Sequence, residues 1–273
     1  MNAETEFIVV TDKPEEVTEA VSVAVPFEPY CAGYPDARKL SDYKAIRELT
    51  KSRSQRLYIM MPDLILESEL DGLDQFLSTV SDSDGIYYGD EAIPASLNDY
   101  EGALICQPET LVCSSADART ILSMGADYVS LAHELSLDEI TSIARNCDHL
   151  EVLIHGHYPI LYSGRRLISN YGQAIDTPLS DGTYSIIEST RSEAMPVVQN
   201  GNRTIVFSAQ PHKSSNQIEA LKSCGIRRMR IDTRFIPMPE VHQVIEHYLT
   251  GVGSVSGSDS WYGQTSVTRK EQS

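Results

Sequence analysis

The sequence predicts an α/β fold, a (β/α) TIM-type barrel that is irregular or incomplete at its N-terminal side. Short β-rich runs recur about every 20 to 25 residues with amphipathic helical stretches between them, which indicates parallel βαβ units. About seven or eight such units are typical of a closed barrel. An open doubly wound sheet is the main alternative, but no G-x-G-x-x-G motif follows any predicted strand.

The predicted elements alternate along the chain in the order that a barrel requires. The N-terminal side is the exception, because "FIVV" and "VSVAV" follow each other there with little helix between them. Elsewhere strands are predicted at 56–62, 85–89, 102–106, 127–132, 150–156, 203–209 and 227–232, and helices at 67–80, 92–100, 115–125, 135–147, 216–224 and 240–251. The helix at 67–80 shows the signal most clearly, since its apolar residues fall on one face: Leu70, Leu73, Phe76, Leu77 and Val80.

The domain organisation is predicted to be simple. Residues 1–251 are expected to form a single barrel domain, with an irregular segment before the strand at 203–209. Residues 252–273 are Gly/Ser-rich and mostly polar, so we expect a disordered tail, with Trp261 and Tyr262 as the exception.

Charge and hydropathy exclude several classes of protein. The net charge of −17 argues against unaided binding to nucleic acid, which depends on neutralising phosphates. The charge is uneven, since residues 1–150 hold 28 acidic against 10 basic residues, whereas residues 151–235 hold 7 against 10. The second half is therefore the better candidate for an anion-facing surface. No apolar run approaches a membrane span, and acidic residues stand where a secretion signal carries lysines, so we expect a cytoplasmic protein without membrane contact.

Three segments in the second half of the chain resemble the signature of the collagenase-like peptidase family U32. They are "LAHELSLDEI" (131–140), "LEVLIHG" (150–156) and "YSGRRLISNY" (162–171), and "MRIDTRF" (229–235) extends the resemblance. The resemblance covers about residues 55–250. It implies a peptidase or hydrolase by label, although the family's motifs contain no recognisable protease constellation. Several members instead act in oxygen-independent or prephenate-dependent hydroxylation of ubiquinone precursors, transfer RNA or ribosomal RNA.

The hydroxylating members carry four cysteines that bind an iron–sulfur cluster, and this chain departs from that pattern at each position. Pro159 stands at the first, Arg166 at the second, and His212 near the fourth. The segment 172–185 that would supply the third contains no cysteine. Because such clusters need thiolate ligands, we expect no iron–sulfur cluster and no other cofactor.

A hydrolytic centre can be assembled from residues of the resemblance. Ser163 is the candidate nucleophile, His155 the base, and Glu134 or Asp232 the group that orients it. Against this, "YSGRR" lacks the G-x-S-x-G elbow, and Ser163 fits equally well as a turn residue beside Gly164.

A metal site is not expected. His155 and His157 would point to one face of a strand, but no third ligand is placed by spacing.

The arginines of the same segments are candidates for binding an anion. Arg165 and Arg166 leave the strand at 150–156, and Arg234 follows the strand at 227–232, so all three are expected at the carboxyl ends of the barrel strands. Guanidinium groups bind carboxylates and phosphates in a bidentate manner. Tyr162 and Ser163 would complete the site. The alternative is that these arginines form salt bridges within a very acidic chain.

Together these interpretations predict that Glu134, His155, Arg165 and Asp232 lie at one end of the barrel. Three classes of function remain open. The first is a genuine hydrolase or peptidase. The second is an accessory subunit without a cluster, which pairs with a full-length U32 paralogue in prephenate-dependent hydroxylation of the transfer RNA wobble uridine and contacts the RNA only within that complex. The third is a barrel that binds an anionic metabolite.

Overall fold

The barrel is closed. The structure, a computed structural model, describes residues 5–109, 111–190 and 192–263. Its barrel strands are β1 (Glu6–Val10), β2 (Ser22–Pro26), β3 (Leu57–Met61), β4 (Gly85–Tyr88), β5 (Ala103–Cys106), β6 (Tyr128–Ser130), β7 (Leu150–Gly156) and β13 (Arg228–Asp232). All neighbours in this ring are parallel, and the pairings of β7 with β6 and of β13 with β1 complete it. The predicted TIM-type fold is confirmed.

Helices cover the outside of the ring. They are α1 (Tyr43–Ser52), α2 (Leu70–Thr79), α3 (Ala92–Ser96), α4 (Ser115–Ser123), α5 (Leu137–Ala144), α7 (Ile218–Cys224) and α8 (Met238–Thr250). The connection from β1 to β2 has a 3-10 helix, Pro14–Glu16, in place of an α-helix. The irregular N-terminal side that the sequence predicts is therefore a missing helix in a complete ring of strands.

Side chains alternate between the two faces of each barrel strand. On β1, Val9 packs in the core between strands and helices, whereas Ile8 and Val10 pack inside the ring. On β3, Tyr58 and Met60 point inside in the same way. Because both faces are buried, these strands are continuous apolar runs, which is why the sequence reveals them.

A second sheet follows β7. It consists of β8 (Pro159–Ser163), β9 (Gly182–Ile187), β10 (Ala194–Asn200) and β11 (Arg203–Phe207). The helix α6 (Leu167–Ala174) connects β8 to β9 along the chain. The order is β8-β11-β10-β9, and all neighbours are antiparallel. The sequence predicts an irregular segment here and a barrel strand at 203–209, whereas the structure has an antiparallel sheet that includes β11. β11 is buried along its whole length, so its continuous apolar sequence cannot be told from that of a barrel strand.

The chain after α8 returns to the barrel. A short strand, β12 (His212–Lys213), runs antiparallel to β7, and a 3-10 helix at Ser260–Gly263 lies near it. Trp261 Nε1 donates a hydrogen bond to Tyr158 Oη (2.7 Å). Trp261 is one of the two residues excepted from the predicted disordered tail, and Ser258 N–H also donates to the backbone oxygen of Pro211 (2.8 Å). Residues 264–273 lie outside the described residues. In the part of the chain that is described, no helix is both long and apolar enough to cross a bilayer.

Candidate functional site

The carboxyl ends of the barrel strands surround a cavity of about 300 Å³. Loops after β3, β4, β5 and β6 form its base, and β8 closes one side. Its polar lining residues are Asp63, Gln107, Glu109, Glu134, Tyr162 and Arg234, and its apolar ones include Leu64, Leu111, Ile160, Leu161 and Ile205. Barrels of this type carry their chemistry at this end.

Gln107 and Glu109 come directly after β5. Gln107 is 1% exposed, and its Nε2 donates a hydrogen bond to Glu109 Oε1 (2.8 Å). Among the described residues, no group reaches Gln107 Oε1. A buried acceptor without a partner costs free energy, so a ligand donor that reached this oxygen would be bound favourably.

Glu109 is held in an uncommon backbone conformation. Its φ of 56° lies in the left-handed region, which a residue with a side chain seldom adopts. Burial raises the pKa of its carboxyl above the usual range, although Arg230 and Arg234 act in the opposite direction. Glu109 therefore retains its proton to a higher pH than an exposed glutamate.

Asp63 follows β3 and is 1% exposed. Its Oδ2 accepts a hydrogen bond from the backbone N–H of Ala32 (2.9 Å) and lies 3.6 Å from Arg203 Nε. Burial raises the pKa of Asp63 to about 6, because the cost of burying its charge outweighs the two contacts with Ala32 and Arg203, which lower the pKa. A carboxyl of this kind can both hold and release a proton near neutral pH.

Arg203 on β11 fixes the second sheet against the barrel. It donates to Glu69 Oε1 (2.8 Å), to the backbone oxygen of Leu64 (2.7 Å) and to Tyr162 Oη (3.0 Å). The hydrogen bond from Arg203 also lowers the pKa of Glu69. These contacts set the position of β8 and therefore the width of the cavity.

An ion network fills the barrel below the cavity. Glu151 on β7 is fully buried and accepts hydrogen bonds from Tyr87 Oη (2.5 Å) and from Arg230 Nε (3.2 Å). Arg228 Nε lies 3.3 Å from the same carboxylate. Arg228 and Arg230 are thus paired inside the molecule and are not available to a ligand anion.

Among the predicted site residues, Glu134, Tyr162 and Arg234 line the cavity. Asp232 lies behind Arg234, is fully buried, and accepts two hydrogen bonds from its guanidinium, at 3.0 and 2.8 Å. Asp232 also accepts hydrogen bonds from the backbone N–H of Arg234 (3.1 Å) and from Tyr34 Oη (3.0 Å), and the Tyr34 ring lies 4.1 Å from the Arg234 guanidinium. Arg234 therefore forms a salt bridge with Asp232, which is the alternative to anion binding that the sequence left open.

His155 does not join these residues, contrary to the expectation from the sequence. A register shift in β7 near this position pairs His155 with Ile231 of β13, whose side chain packs in the outer core. The imidazole accordingly lies against Tyr248 of α8, at 5.7 Å between ring centroids. Burial lowers its pKa to about 3.

The neighbouring glycine and histidine of the "HGH" motif have structural partners. Gly156 adopts a φ of 130°, and a Cβ there would lie 2.3 Å from the backbone oxygen of Asp232. His157 Nδ1 contacts the backbone oxygen of Ser208 (2.7 Å), and its ring packs on Phe235. The two histidines do not share a face, and no group of three potential metal ligands occurs among the described residues.

The remaining candidates lie beyond the cavity. Arg165 and Arg166 are exposed in the connection from β8 to α6, and Arg166 pairs with Asp181 (2.9 Å). Ser163 ends β8 opposite Thr204 of β11. The structure therefore does not bring Arg165 and Arg166 together with Arg234.

Sequence reasoning missed Asp63, Gln107 and Glu109. A usable signal was present, because each follows the end of a predicted barrel strand by one to three residues. Polar residues at such positions meet at one end of the barrel, wherever they lie in the sequence.

Comparisons with known proteins point to one family. A model of peptidase family U32 matches residues 36–264. The structure of the U32 peptidase Mk0906 is similar with a TM-score of 0.55 at 12% identity, over 85% of this chain and 94% of that chain. Thiamine phosphate pyrophosphorylase from Pyrococcus furiosus aligns with a TM-score of 0.44 at 11% identity, over 91% of this chain and 98% of that chain. No curated protein sequence matches.

Proposed function

This chain belongs to peptidase family U32, and from that premise we propose that its barrel mouth binds and hydrolyses a small neutral or basic amide. The observation that carries the proposal is Gln107, which lines the cavity and whose buried Oε1 has no donor among the described residues. A ligand N–H would supply that donor. The same cavity holds Asp63 and Glu109, two carboxyls with raised pKa values.

The charge of the cavity favours a neutral or basic ligand over an anion. Asp63, Glu109 and Glu134 are acids. Arg234 is the basic lining residue among those that the structure describes, and it is already paired with Asp232. An anion would therefore meet carboxylates without a free guanidinium to offset them.

Hydrolysis needs one group that accepts a proton from water and one that gives a proton to the leaving amine. Asp63 suits the first role when ionised, since its pKa of about 6 leaves it mainly ionised at neutral pH. Glu109 suits the second, because burial favours its protonated form. During one turnover Asp63 would gain a proton from water and Glu109 would give its proton to the leaving amine. Water would thus cleave the amide without a covalent enzyme intermediate.

Calorimetric titration with Nα-acetyl-lysine amide tests the binding step. We expect saturable binding that Gln107→Leu weakens by about 10-fold or more, because the ligand loses its acceptor. Gln75→Leu, on the exposed face of α2, is the matched control and should bind as the unmodified protein does. Nα-acetyl-glutamate amide should bind more weakly than the lysine compound. Equal affinity of the unmodified protein and Gln107→Leu would overturn the proposal.

Turnover of the coumarin amide of Nα-acetyl-lysine tests the chemical step. Asp63→Asn keeps an oxygen that can accept from Ala32 but cannot exchange a proton, so kcat should fall by about 100-fold or more. Unchanged kcat in this variant would remove Asp63 from the reaction.

A second candidate function is the accessory role with a full-length U32 paralogue and transfer RNA. The observation that favours it is the surface of α6, where Leu167, Tyr171 and Ile175 are 37%, 59% and 46% exposed. Their spacing of four residues places them on one helix face, and exposed apolar faces of this kind mark contact surfaces. The exposed Arg165 lies beside this face and could reach a phosphate in the assembled complex.

Replacing Tyr171 with glutamate tests this role. The variant should fold normally but fail to co-purify with the paralogue, and wobble-uridine hydroxylation in cells should fall. Deletion of the gene without any change in that hydroxylation would exclude the accessory role.

A further inference from the structure

Strand β8 is an edge strand. Its hydrogen-bonded neighbour is β11, and in the part of the chain that the structure describes no strand pairs with its other side. Three successive residues, Ile160, Leu161 and Tyr162, are 48%, 44% and 41% exposed. An open edge presents unpaired N–H and C=O groups, and proteins usually protect such edges with charges or cover them. No charged residue interrupts β8, and although Pro159 at its start has no N–H, the edge from Ile160 to Ser163 is left available for pairing.

The cavity runs along this edge. Four consecutive residues, Pro159 to Tyr162, line it, together with Ile205 of the neighbouring strand. Successive side chains of a strand point to opposite faces, so one face alone would contribute only every second residue. A cavity lined by consecutive residues therefore lies against the edge of β8, beside its backbone groups.

Two further apolar side chains line the cavity. Leu64 and Leu111, the apolar rim, are 52% and 73% exposed. Large exposed apolar side chains beside a groove are typical of a surface that another molecule covers. The acidic base consists of the lining residues Asp63, Glu109 and Glu134.

We infer that an extended polypeptide segment pairs with the free edge of β8 as an added strand and inserts a lysine or arginine side chain into the cavity. The inference rests on the proposed function of the cavity and specifies its ligand. Backbone hydrogen bonds to β8 recognise the extended main chain, whatever its sequence. The acidic base selects the basic side chain, and the apolar rim contacts the residues two positions away on either side.

Strand addition makes a prediction that side-chain binding alone does not make. Alternate backbone amides of the added segment face β8, and the others face away. N-methylation of the first set should abolish pairing, whereas N-methylation of the second set should leave it intact. The expected signature is therefore a dependence on every second amide.

The probe is the acetylated, amidated hexapeptide Val-Thr-Lys-Thr-Val-Thr, titrated by calorimetry against the full chain. One alternating N-methyl pattern should weaken binding by about 10-fold or more, and the other should change it by less than about two-fold. Norleucine in place of lysine should weaken binding by about 10-fold or more, since the acidic base then has no partner. In the variant Glu134→Gln this preference for lysine should shrink, whereas Glu48→Gln on the exposed face of α1 should retain it.

The outcomes separate this inference from the proposed function. Equal binding of both N-methyl patterns, with Nα-acetyl-lysine amide still bound, would overturn strand pairing and leave the cavity as the binding site. Binding of the hexapeptide with the alternating dependence, but no binding of the small amide, would support strand pairing and overturn the small-amide function. Equal affinity for the norleucine peptide would overturn the selection of a basic side chain.

Discussion

At the scale of single residues, the barrel interior depends on a buried charge with several partners. Glu151 holds Arg230 and Tyr87 by hydrogen bonds and lies beside Arg228. Neutralising it leaves two guanidinium groups in a medium of low dielectric constant. Glu151→Gln should therefore lower the free energy of unfolding by about 3–5 kcal/mol in urea denaturation. The exposed Glu48→Gln serves as the control, and a loss below about 1 kcal/mol in Glu151→Gln would contradict this role.

Three buried histidines give stability a pH dependence. Burial lowers the pKa of His133 and of His155 to about 3 and that of His212 to about 4, whereas an unfolded histidine titrates near 6.5. Between these values the unfolded chain binds more protons than the folded one. Stability contributed by the neutral histidines is thus complete above about pH 6.5 and is lost as the pH falls towards 3. Asp12, Asp63 and Glu109, whose pKa values burial raises, have the opposite sign and reduce this dependence.

His133→Phe tests this dependence. The ring of His133 lies 4.1 Å from that of Tyr158, and its Nε2 has no hydrogen-bond partner among the described residues, so phenylalanine preserves the contact. The slope of unfolding free energy against pH, measured between pH 4 and 6, should fall by up to about 1.4 kcal/mol per pH unit. An unchanged slope would show that His133 is protonated in the folded protein.

The arginines show what the sequence can and cannot predict at this scale. Arg228 and Arg230 are two residues apart on β13, so both lie on its inner face, where they pair with Glu151. The partner could not be predicted, because Glu151 lies 77 positions from Arg228 and meets it only when β7 and β13 become neighbours.

At the scale of elements, the 3-10 helix at Ser260–Gly263 seals the outside of β7 and β12. Tyr262 Oη lies 2.6 Å from Ser214 Oγ and 3.2 Å from His212 Nε2. Tyr262→Phe leaves both groups without this partner and should lower the free energy of unfolding by about 1–3 kcal/mol in thermal or urea denaturation. Tyr171→Phe removes the same hydroxyl from an exposed ring and should have no measurable effect. Equal stability of the two variants would show that the 3-10 helix does not stabilise the barrel.

The second sheet shows why some elements escape prediction. β8 and β9 are largely exposed, so they have neither the continuous apolar run of a barrel strand nor a regular alternation. Their pairing is defined by contacts with β10 and β11 rather than by their own pattern. The most important wall of the cavity is thus built from a segment with a weak local signal.

At the scale of the whole molecule, the barrel could be predicted because each unit carries its own apolar pattern, and closure needs only the repetition of that unit. The candidate site could be predicted only in part. Glu134, Tyr162 and Arg234 reach the cavity, whereas His155 is turned outward by a register shift that no local pattern reveals. Asp63 and Gln107 come from different loops, and only the closed ring brings them to one end.

We propose that Gln107 Oε1 receives a hydrogen bond from a ligand in the barrel mouth. Nitrogen-15 NMR can follow the side-chain amide resonances of glutamine during titration with Nα-acetyl-lysine amide, with Gln107 assigned by its absence in Gln107→Leu. We expect the Gln107 signal to shift and to saturate with the calorimetric affinity, while that of the exposed Gln75 stays in place. Saturable binding without a shift of the Gln107 signal would show that this oxygen does not contact the ligand.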